Sequence, residues 1–394
     1  MGIVDFFKGK DNAEPESGVS EMTFEEVMED IKSGLTGDPK KDKPYVQLKM
    51  QQYKNHKDNL KIMGKCGELL GRMMPEEEKK KVAEHVRKNA EAIEKTIDVV
   101  KFNMYKRNFD DAVKIMDELI AKIDAEADAY MEHSDNIYID VDEFLEFILY
   151  QVYEKPEGMI RRPLYRYHYI YKLYGSLLFE VKNFDKAKIY LEKSLKWNPM
   201  SVSAAFELGE LLKINKDMEG YYQANKDIYN KIFRRADMAR YLRNIAFYFV
   251  EKELYEVAAA CLYVSLSFAD TDMAKSELFY IGQKSGKNIS APDVKDLEQY
   301  SEKYGIMFRP CPQVVVHALS FAKFALANND MNSVKYLIKT VYDYLLPDSV
   351  KAKKEAENAD AGSIKYQLNE IYEITHLSAV KEMYDEIADK DDQN

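Results

Sequence analysis

The sequence predicts an all-α protein in which an N-terminal helical bundle is followed by an α-α superhelix of stacked helix pairs. Three observations support this fold class. Gly175 and Gly209 lie 34 residues apart in helical segments of similar apolar spacing, and a period of this length is typical of stacked helix hairpins. Between residues 86 and 104, apolar side chains recur at the spacing of one helix face. With 16 Gly and 11 Pro in 394 residues, the composition also favours long regular elements.

The N-terminal region begins with a segment that has no helical pattern. Residues 1–20 are rich in charged and small residues and are expected to form a disordered tail. Thr23 and Glu26 have the spacing of a capping box, in which each side chain accepts a hydrogen bond from the other residue's backbone. This pair predicts a helix that ends near Lys32, and a linker is expected at residues 34–43.

Three long helices are predicted in the rest of the bundle, whose expected limits are residues 21–155. The first covers residues 44–74. The second covers residues 75–107 and opens with a proline, which is favoured in the first turn of a helix. The third covers residues 109–130 and is amphipathic.

The 75–107 helix carries an apolar stripe along one face. Its members are Val86, Ala90, Ile93, Ile97, Val100 and Met104. Their alternating intervals of four and three residues are typical of two helices wound together. We expect the partner to be a neighbouring helix of the same chain, and a homodimer through the 86–104 helix is the alternative.

Three glycines share one face of the predicted 44–74 helix, namely Gly64, Gly67 and Gly71. Each costs a helix interior ~1 kcal/mol relative to alanine, so a close approach to this face is expected. A neighbouring helix is the favoured occupant, and a bound ligand or a hinge is the alternative. The surrounding sequence lacks the further glycine and the Ser or Thr that a phosphate-binding P-loop needs.

The strongest pattern begins at His168. Counting from that residue, Gly175 is eighth, Phe184 is seventeenth, Ala187 is twentieth and Pro199 is thirty-second. Small eighth and twentieth residues let two antiparallel helices touch, and the proline ends the second helix. This pattern resembles the tetratricopeptide repeat.

The resemblance covers residues 160–375 and implies a superhelix of antiparallel helix pairs. Copies are predicted at residues 168–201, 202–235, 239–272 and, in degenerate form, 315–348. Tyr221 stands where the second copy would have a small residue, so that pair is expected to be splayed. A capping helix and a tail are expected at residues 376–394. The overall organisation is similar to that of bacterial tetratricopeptide proteins.

In this family the first helix of each pair lines a concave groove, and its second, fifth, ninth and twelfth residues point inward. Carried onto this chain, the resemblance implies a peptide-binding groove formed by Tyr169, Lys172, Ser176, Phe179, Ser203, Phe206, Glu210, Lys213, Arg240, Arg243, Phe247 and Val250, with Asn244 beside them. Arginine and lysine hold carboxylates or phosphates, and aromatic rings supply rigid apolar area. We therefore expect the partner to be a protein or peptide, and an acidic one would suit these cations.

The net charge restricts which kinds of partner are expected, and the cysteines indicate the cellular compartment. A net charge of -11 argues against nucleic acid as a partner. Cys66, Cys261 and Cys311 are far apart and lack the spacing of a zinc site, which indicates thiols in a reducing compartment. The apolar stretch at residues 257–269 is too short to span a bilayer. We expect a cytoplasmic protein that does not bind membranes.

The sequence contains no complete catalytic or metal-binding motif among those considered. The six histidines lack the HExxH spacing, and residues 135–146 lack the oxygen ligands and the glycine of a calcium loop. Asp140 and Glu143 are expected to cap the following helix instead. No cofactor, metal or catalytic residue is predicted.

The expected function is that of a non-catalytic interaction protein that binds a partner in the groove. An alternative is a peptide-responsive signalling regulator, because the chain also resembles the Rap-type regulators, which join an N-terminal helical bundle to such repeats. An enzyme of unknown reaction, sited at the glycines of the bundle, is a further alternative.

Overall fold

The protein is all-α in a computed structural model that describes residues 22–133, 136–286 and 289–392. Within these residues there are 19 α-helices, one 3-10 helix and two strands of two residues each. They divide into two compact units. The first unit runs to Tyr138 and includes Gly158–Tyr165, and the second contains Ile139–Glu157 and the chain from Arg166 onward. The predicted tail at residues 1–20 lies outside the described residues.

The first unit contains five helices and a pair of short parallel strands. They are α1 (Phe24–Ser33), α2 (Pro39–Gln52), α3 (Asn59–Arg72), α4 (Glu76–Tyr105), α5 (Phe109–His133), β1 (Ile137–Tyr138) and β2 (Ile160–Arg161). The predicted capping box opens α1. The backbone N–H of Thr23 donates to Oε2 of Glu26 over 2.7 Å, and the N–H of Glu26 donates to Oγ1 of Thr23 over 3.3 Å.

The prediction of one helix over residues 44–74 is wrong, because α2 and α3 are separate. The turn between them is held by side chains. Oη of Tyr53 donates to Oδ2 of Asp30 over 2.7 Å, and Nε2 of His56 lies 2.8 Å from the carbonyl oxygen of Met22. The predicted linker at residues 34–43 is also partly helical, since α2 begins at Pro39. Proline in the first turn is favoured there too.

The apolar stripe of α4 packs inside the first unit. Ile97 and Val100 are fully buried, and the other members of the stripe are partly buried. α4 packs along α5, whose buried side chains include Met116, Ile120 and Ile123. The stripe therefore has a partner within the chain, while the homodimer through residues 86–104 stays a prediction.

The second unit consists of fourteen α-helices and a short 3-10 helix within its described residues. They are α6 (Phe144–Glu154), α7 (Tyr167–Glu180), α8 (Phe184–Trp197), α9 (Val202–Ile214), α10 (Met218–Ile228), the 3-10 helix Tyr229–Lys231, α11 (Arg235–Glu251), α12 (Tyr255–Phe268), α13 (Asp272–Ser285), α14 (Val294–Tyr304), α15 (Pro312–Ala327), α16 (Met331–Leu345), α17 (Asp348–Glu357), α18 (Ile364–Thr375) and α19 (Ser378–Asp392). α7 packs on α8, α9 on α10, α11 on α12, and α15 on α16. Each predicted copy thus coincides with one packed helix pair.

The border of the second unit differs from the predicted one, because α6 belongs to this unit and not to the N-terminal bundle. Two hydrogen bonds tie its segment to the end of α8. The N–H of Asp140 donates to the carbonyl oxygen of Trp197 over 2.9 Å, and Nδ2 of Asn198 donates to Oε2 of Glu146 over 2.9 Å. Glu146 and Asn198 are both buried.

The helix pairs share one turn. In the α7–α8 turn, Lys182 has a left-handed backbone with φ of 61°, and the N–H of Asn183 donates to the carbonyl oxygen of Leu178 over 2.9 Å. With the bond from Lys182 to Phe179, this is a Schellman motif, which satisfies the last carbonyls of a helix. The same left-handed residue and pair of bonds recur at Lys216, Glu253 and Asn329, and at Arg107 between α4 and α5.

The two glycines that define the period have different surroundings. A Cβ on Gly175 would lie 2.7 Å from Cγ of Leu191, so α7 and α8 touch there as predicted. A Cβ on Gly209 would lie 3.8 Å from Nδ2 of Asn225 and 4.0 Å from Cδ2 of Tyr221. α9 and α10 are therefore less closely packed at this point, and the space beside Gly209 holds the Tyr221 ring.

Candidate functional site

The predicted groove residues all lie on the first helices of three consecutive pairs, α7, α9 and α11. Side-chain contacts join these helices. Nζ of Lys172 donates to Oγ of Ser203 over 3.2 Å, which links α7 to α9, and Arg240 lies over the ring of Phe206, which links α11 to α9. We call this surface, formed by the predicted groove residues other than Phe179, the groove face.

Most side chains of the groove face are partly buried, and two predicted members differ from the rest. Phe206 is 1% exposed, so its ring forms the floor of the face rather than a free contact. Phe179 packs edge-on against Phe184 at the turn of its own helix pair, with ring centroids 5.5 Å apart. The sequence pattern did not predict either placement, because both depend on the neighbouring helix.

Cations of the groove face are held over aromatic rings. Their distances to the ring centroids are 4.8 Å for Arg240 over Phe206, 4.4 Å for Lys213 over Phe247 and 5.7 Å for Lys172 over Tyr169. Each such contact is worth roughly 0.5–1 kcal/mol at an exposed site. The rings therefore orient the cations before any ligand arrives.

Carboxylates that the repeat pattern does not indicate lie beside the groove face, so its surroundings are close to neutral. Glu207 accepts a hydrogen bond from Oγ of Ser176. Burial raises the pKa of Glu207, against the lowering effect of that bond and of Arg240. Burial likewise raises the pKa of Asp237 and Glu277. Glu207 is the sixth residue of its copy, outside the four inward positions of the family, so the pattern gave no signal for it.

Two polar pairs of the groove face are internally satisfied. Nζ of Lys213 lies 2.6 Å from Oε2 of Glu210, one turn away on α9. Nδ2 of Asn244 donates to Oδ1 of Asn225 over 2.7 Å. These contacts fix the positions of Lys213 and Asn244 before binding.

Among the cations of the groove face, Arg240 and Arg243 have the fewest polar contacts with the described residues. They are one turn apart on α11, and both are partly buried. Neither makes an ion pair or hydrogen bond with any residue that the structure describes. Burial lowers the pKa of Arg243, and the charge of Glu277 opposes this. Two adjacent guanidinium groups with free N–H donors can bind a carboxylate or several carbonyl oxygens.

A serine, a histidine and an aspartate also meet in the second unit. Oγ of Ser194 lies 2.8 Å from Nδ1 of His168, and Nε2 of His168 lies 3.4 Å from Oδ2 of Asp142. This order resembles a nucleophile, a base and an orienting carboxylate. However, Ser194 and His168 are 0% exposed, so a substrate cannot reach the hydroxyl. The group is therefore a structural network between α7 and α8.

Asp140 and Asp142 complete this network, and their pKa values are shifted in opposite directions. Burial raises the pKa of Asp140 to about 6, although nearby His168 and Arg166 act to lower it. Burial would also raise the pKa of Asp142, but the hydrogen bond and charge of His168, with Lys172 and Arg166, lower it to about 2.

The predicted caps are only partly present. Glu143 stands at the N-cap of α6, as expected, and its backbone N–H donates to Oε2 of Glu146 over 3.2 Å. The prediction for Asp140 is wrong, because its carboxylate accepts from the N–H of His168 over 2.9 Å and thus serves α7.

Two of the three glycines of the bundle face open space. A Cβ on Gly67 or Gly71 would meet no heavy atom within 4 Å, so the expectation of a close neighbouring helix is wrong at these two positions. Gly71 lines a cavity of about 500 Å³ with apolar residues of α4, Lys79 and Arg87. Both cations are paired with glutamates on α4.

A second cavity, of about 440 Å³, lies in the second unit. Tyr222, Tyr248, Phe249, Lys252, Leu254 and Tyr304 line it. The rings of Tyr222 and Tyr248 stack on each other at 4.2 Å. Neither cavity includes a predicted groove residue. Among the described residues, no group of three or more His, Cys, Asp or Glu could hold a metal ion.

Comparison with known proteins does not extend the resemblance. The sequence matches no protein-family model and no curated protein. Of the helices that the structure describes, none has both the length and the apolar character needed to cross a bilayer.

Proposed function

We propose that this chain is a non-catalytic interaction protein of the tetratricopeptide type, which binds an extended segment of a partner protein or peptide on the groove face. The observation that carries the proposal is the pair Arg240 and Arg243, which are partly buried, adjacent and free of ion pairs and hydrogen bonds among the described residues. Both guanidinium groups are therefore available to a ligand that carries a carboxylate or carbonyl oxygens.

The repeated turn supports this choice of ligand. Where similar helix pairs stack as repeats, their first helices can present one continuous surface. The contacts of Lys172 with Ser203 and of Arg240 with Phe206 join three such helices. An extended chain of several residues matches a long surface of this kind better than a compact small molecule does.

The charges of the groove face limit how acidic the partner can be. Lys172, Lys213, Arg240 and Arg243 are accompanied by the four carboxylates Glu207, Glu210, Asp237 and Glu277. A segment with one carboxylate and many free backbone groups suits this balance. A run of acidic residues would be repelled by these partly buried carboxylates.

Selection from a library of phage-displayed random 12-residue peptides, with the full-length protein as bait, tests the proposal. Isothermal titration of a selected synthetic peptide then compares the natural protein with the variant Arg240→Ala/Arg243→Ala. Loss of hydrogen bonds to two charged groups should weaken binding by about a hundredfold.

The matched control is Lys188→Ala, which removes an exposed cation of α8. It should leave the affinity within about twofold, because exposed ion pairs contribute little. Undiminished binding by the double arginine variant would refute the groove face as the binding surface.

We also propose a cytoplasmic location, which the three free, buried cysteines support. The peptide-responsive regulator remains the alternative function. Slower amide exchange in α4 and α5 on addition of the selected peptide would favour it.

A further inference from the structure

The cavity of about 440 Å³ in the second unit has walls that consist mainly of aromatic rings, and we call it the aromatic cavity. Tyr222 comes from α10, Tyr248 and Phe249 from α11, and Tyr304 from the end of α14. The ring of Tyr222 lies 4.2 Å from that of Tyr248 and 5.6 Å from that of Phe249, between centroids. The ring of Phe249 lies 5.0 Å from that of Tyr304. Rings at these distances attract one another, so the four side chains form one contiguous wall.

The wall is held in place by hydrogen bonds within the chain. Oη of Tyr222 donates to the carbonyl oxygen of Tyr304 over 2.7 Å, and Nζ of Lys226 donates to the same oxygen over 3.4 Å. These bonds fix the end of α14 against α10. Gly305 follows with a left-handed backbone, and a Cβ there would lie 2.8 Å from Nζ of Lys226, so the glycine leaves room for the ammonium group. The cavity is therefore formed before any ligand arrives, as most small-molecule sites are.

The turn between α11 and α12 supplies the rest of the lining, namely Lys252 and Leu254. Nζ of Lys252 lies 2.7 Å from Oε1 of Glu219, and the same carboxylate accepts from Oη of Tyr248 over 2.9 and 3.0 Å. Lys252 is exposed, and Leu254 is 39% exposed. This side of the cavity is therefore open to solvent, with an apolar and a charged side chain next to each other.

Three lysines surround the rings of the aromatic cavity. The ammonium groups of Lys226, Lys252 and Lys303 lie 5.3, 5.3 and 5.0 Å, respectively, from the centroid of one ring of the wall. Lys252 is paired with Glu219. Lys226 and Lys303 form no ion pair with any residue that the structure describes. The rim of the cavity thus has a local surplus of positive charge in a protein whose net charge is -11.

The rings and the lysines together favour an aromatic ligand that carries a negative charge. A flat ring packs on tyrosine and phenylalanine by stacking or by edge contact, which a saturated ring cannot do. An anionic group gains charge-assisted hydrogen bonds from ammonium groups, whereas a cation would be repelled by them. A volume of about 440 Å³ lies within the range of small-molecule sites and is too small for a folded partner.

We propose that the aromatic cavity binds a small aromatic acid, whose ring packs against Tyr248 and Leu254 and whose anionic group contacts the ammonium group of Lys252. The anion then shares Lys252 with Glu219. An aromatic residue at the C-terminus of a peptide carries the same chemistry, so the two sources are compared below. The site is separate from the groove face and does not rest on the proposed function.

Saturation-transfer NMR of the full-length protein at neutral pH tests the ligand class with three probes of similar size. Phenylpropanoate has both the ring and the charge, phenylpropanamide lacks the charge, and cyclohexylpropanoate lacks the aromatic ring. Phenylpropanoate should bind about three- to fivefold more tightly than either of the others. Absence of transfer to phenylpropanoate, or equal affinity for all three probes, would overturn the proposal.

Variants of the lining then locate the site. Lys252→Met should weaken phenylpropanoate about fivefold and leave phenylpropanamide within about twofold, because only the charge contact is removed. Leu254→Glu should also weaken phenylpropanoate about fivefold, since like charges repel. The matched control is Lys284→Met, which removes another ammonium group from above a ring, that of Tyr280 at 5.6 Å, outside the cavity lining. Unchanged affinity in both lining variants, or an equal loss in the control, would overturn the site.

Two further titrations separate the sources of the ligand and the two binding surfaces. Similar affinities for phenylpropanoate and for the peptide N-acetyl-Gly-Gly-Phe would support a small acid. Tighter binding of the peptide by about tenfold or more, again lost in Lys252→Met, would overturn the small acid in favour of a peptide C-terminus. The variant Arg240→Ala/Arg243→Ala should bind phenylpropanoate as the natural protein does. Loss of binding in that variant would place the probe on the groove face and overturn the proposal.

Discussion

At the scale of single residues, two carboxylates with oppositely shifted pKa values lie beside one buried histidine in the second unit. His168 receives its backbone cap from Asp140 and lies 3.4 Å from Oδ2 of Asp142, while Arg166 lies 2.7 Å from Oδ1 of Asp142. The network joins the segment before α6 to α7 and α8. Its members resemble a catalytic group in kind, and their burial gives them a structural role.

The lowered pKa of Asp142 predicts a specific acid sensitivity. Its folded-state pKa of about 2 is below the ordinary value of 3.8. The carboxylate therefore stabilises the fold above pH 4, by roughly 1 kcal/mol after allowance for solvent screening, and this contribution is lost as the pH falls from about 4 to about 2. Urea unfolding of the natural protein and of Asp142→Asn should differ by this amount at pH 6 and converge near pH 2.

The control for this measurement is Asp385→Asn, at an exposed position of α19. It should change the free energy of unfolding by less than about 0.5 kcal/mol at either pH. A constant difference between natural protein and Asp142→Asn across the whole range would contradict the assigned role.

At the scale of elements, the unit that repeats along the chain is a pair of packed helices joined by one kind of turn. The α7–α8, α9–α10, α11–α12, α15–α16 and α4–α5 turns all have a left-handed residue followed by the same Schellman bonds. Pairs differ in how closely their helices touch. Gly175 allows contact with Leu191, whereas Gly209 leaves room for Tyr221.

This difference predicts opposite effects of the same substitution. Gly175→Ala would force a Cβ to 2.7 Å from Cγ and 3.3 Å from the backbone nitrogen of Leu191. Overpacking of about 1–3 kcal/mol should outweigh a gain of about 1 kcal/mol in helix propensity. Gly209→Ala meets only ordinary contacts and should stabilise the protein by up to about 1 kcal/mol.

Urea unfolding followed by helical circular dichroism measures both changes. Equal stability of Gly175→Ala and Gly209→Ala would contradict the assigned close contact of α7 with α8.

How far the sequence predicts each element depends on the range of its contacts. Helix pairs were predictable, because the turn and the small residues that define them lie within one period. The break between α2 and α3 was not, since Tyr53 and His56 contact Asp30 and Met22, which are 23 and 34 residues away.

The groove face shows the same limit. The repeat pattern identified Arg240, Arg243 and Lys172, because their positions follow from the phase of each helix. The repeat pattern did not indicate Glu207 and Glu277, because their positions beside the arginines depend on how successive helix pairs stack. The neutral character of the surface was therefore not predictable from inward-pointing positions alone.

At the scale of the whole molecule, net charge works against a strongly acidic partner. With -11 overall, the protein repels polyanions at long range, and only local contacts on the groove face can favour a carboxylate. An association rate that rises with added salt is expected for acidic peptides. The preferred partner is then an extended segment recognised by its backbone and by one acidic group.

The central claim is that the surface of α7, α9 and α11 holds an extended peptide. Photo-cross-linking tests it most directly, with a selected peptide that carries benzoylphenylalanine at successive positions and mass spectrometry to find the attached residues. The account predicts cross-links to α7, α9 and α11, moving along these helices as the photoreactive residue moves along the peptide. Cross-links confined to the cavity beside Gly71, or to helices outside these three, would contradict it.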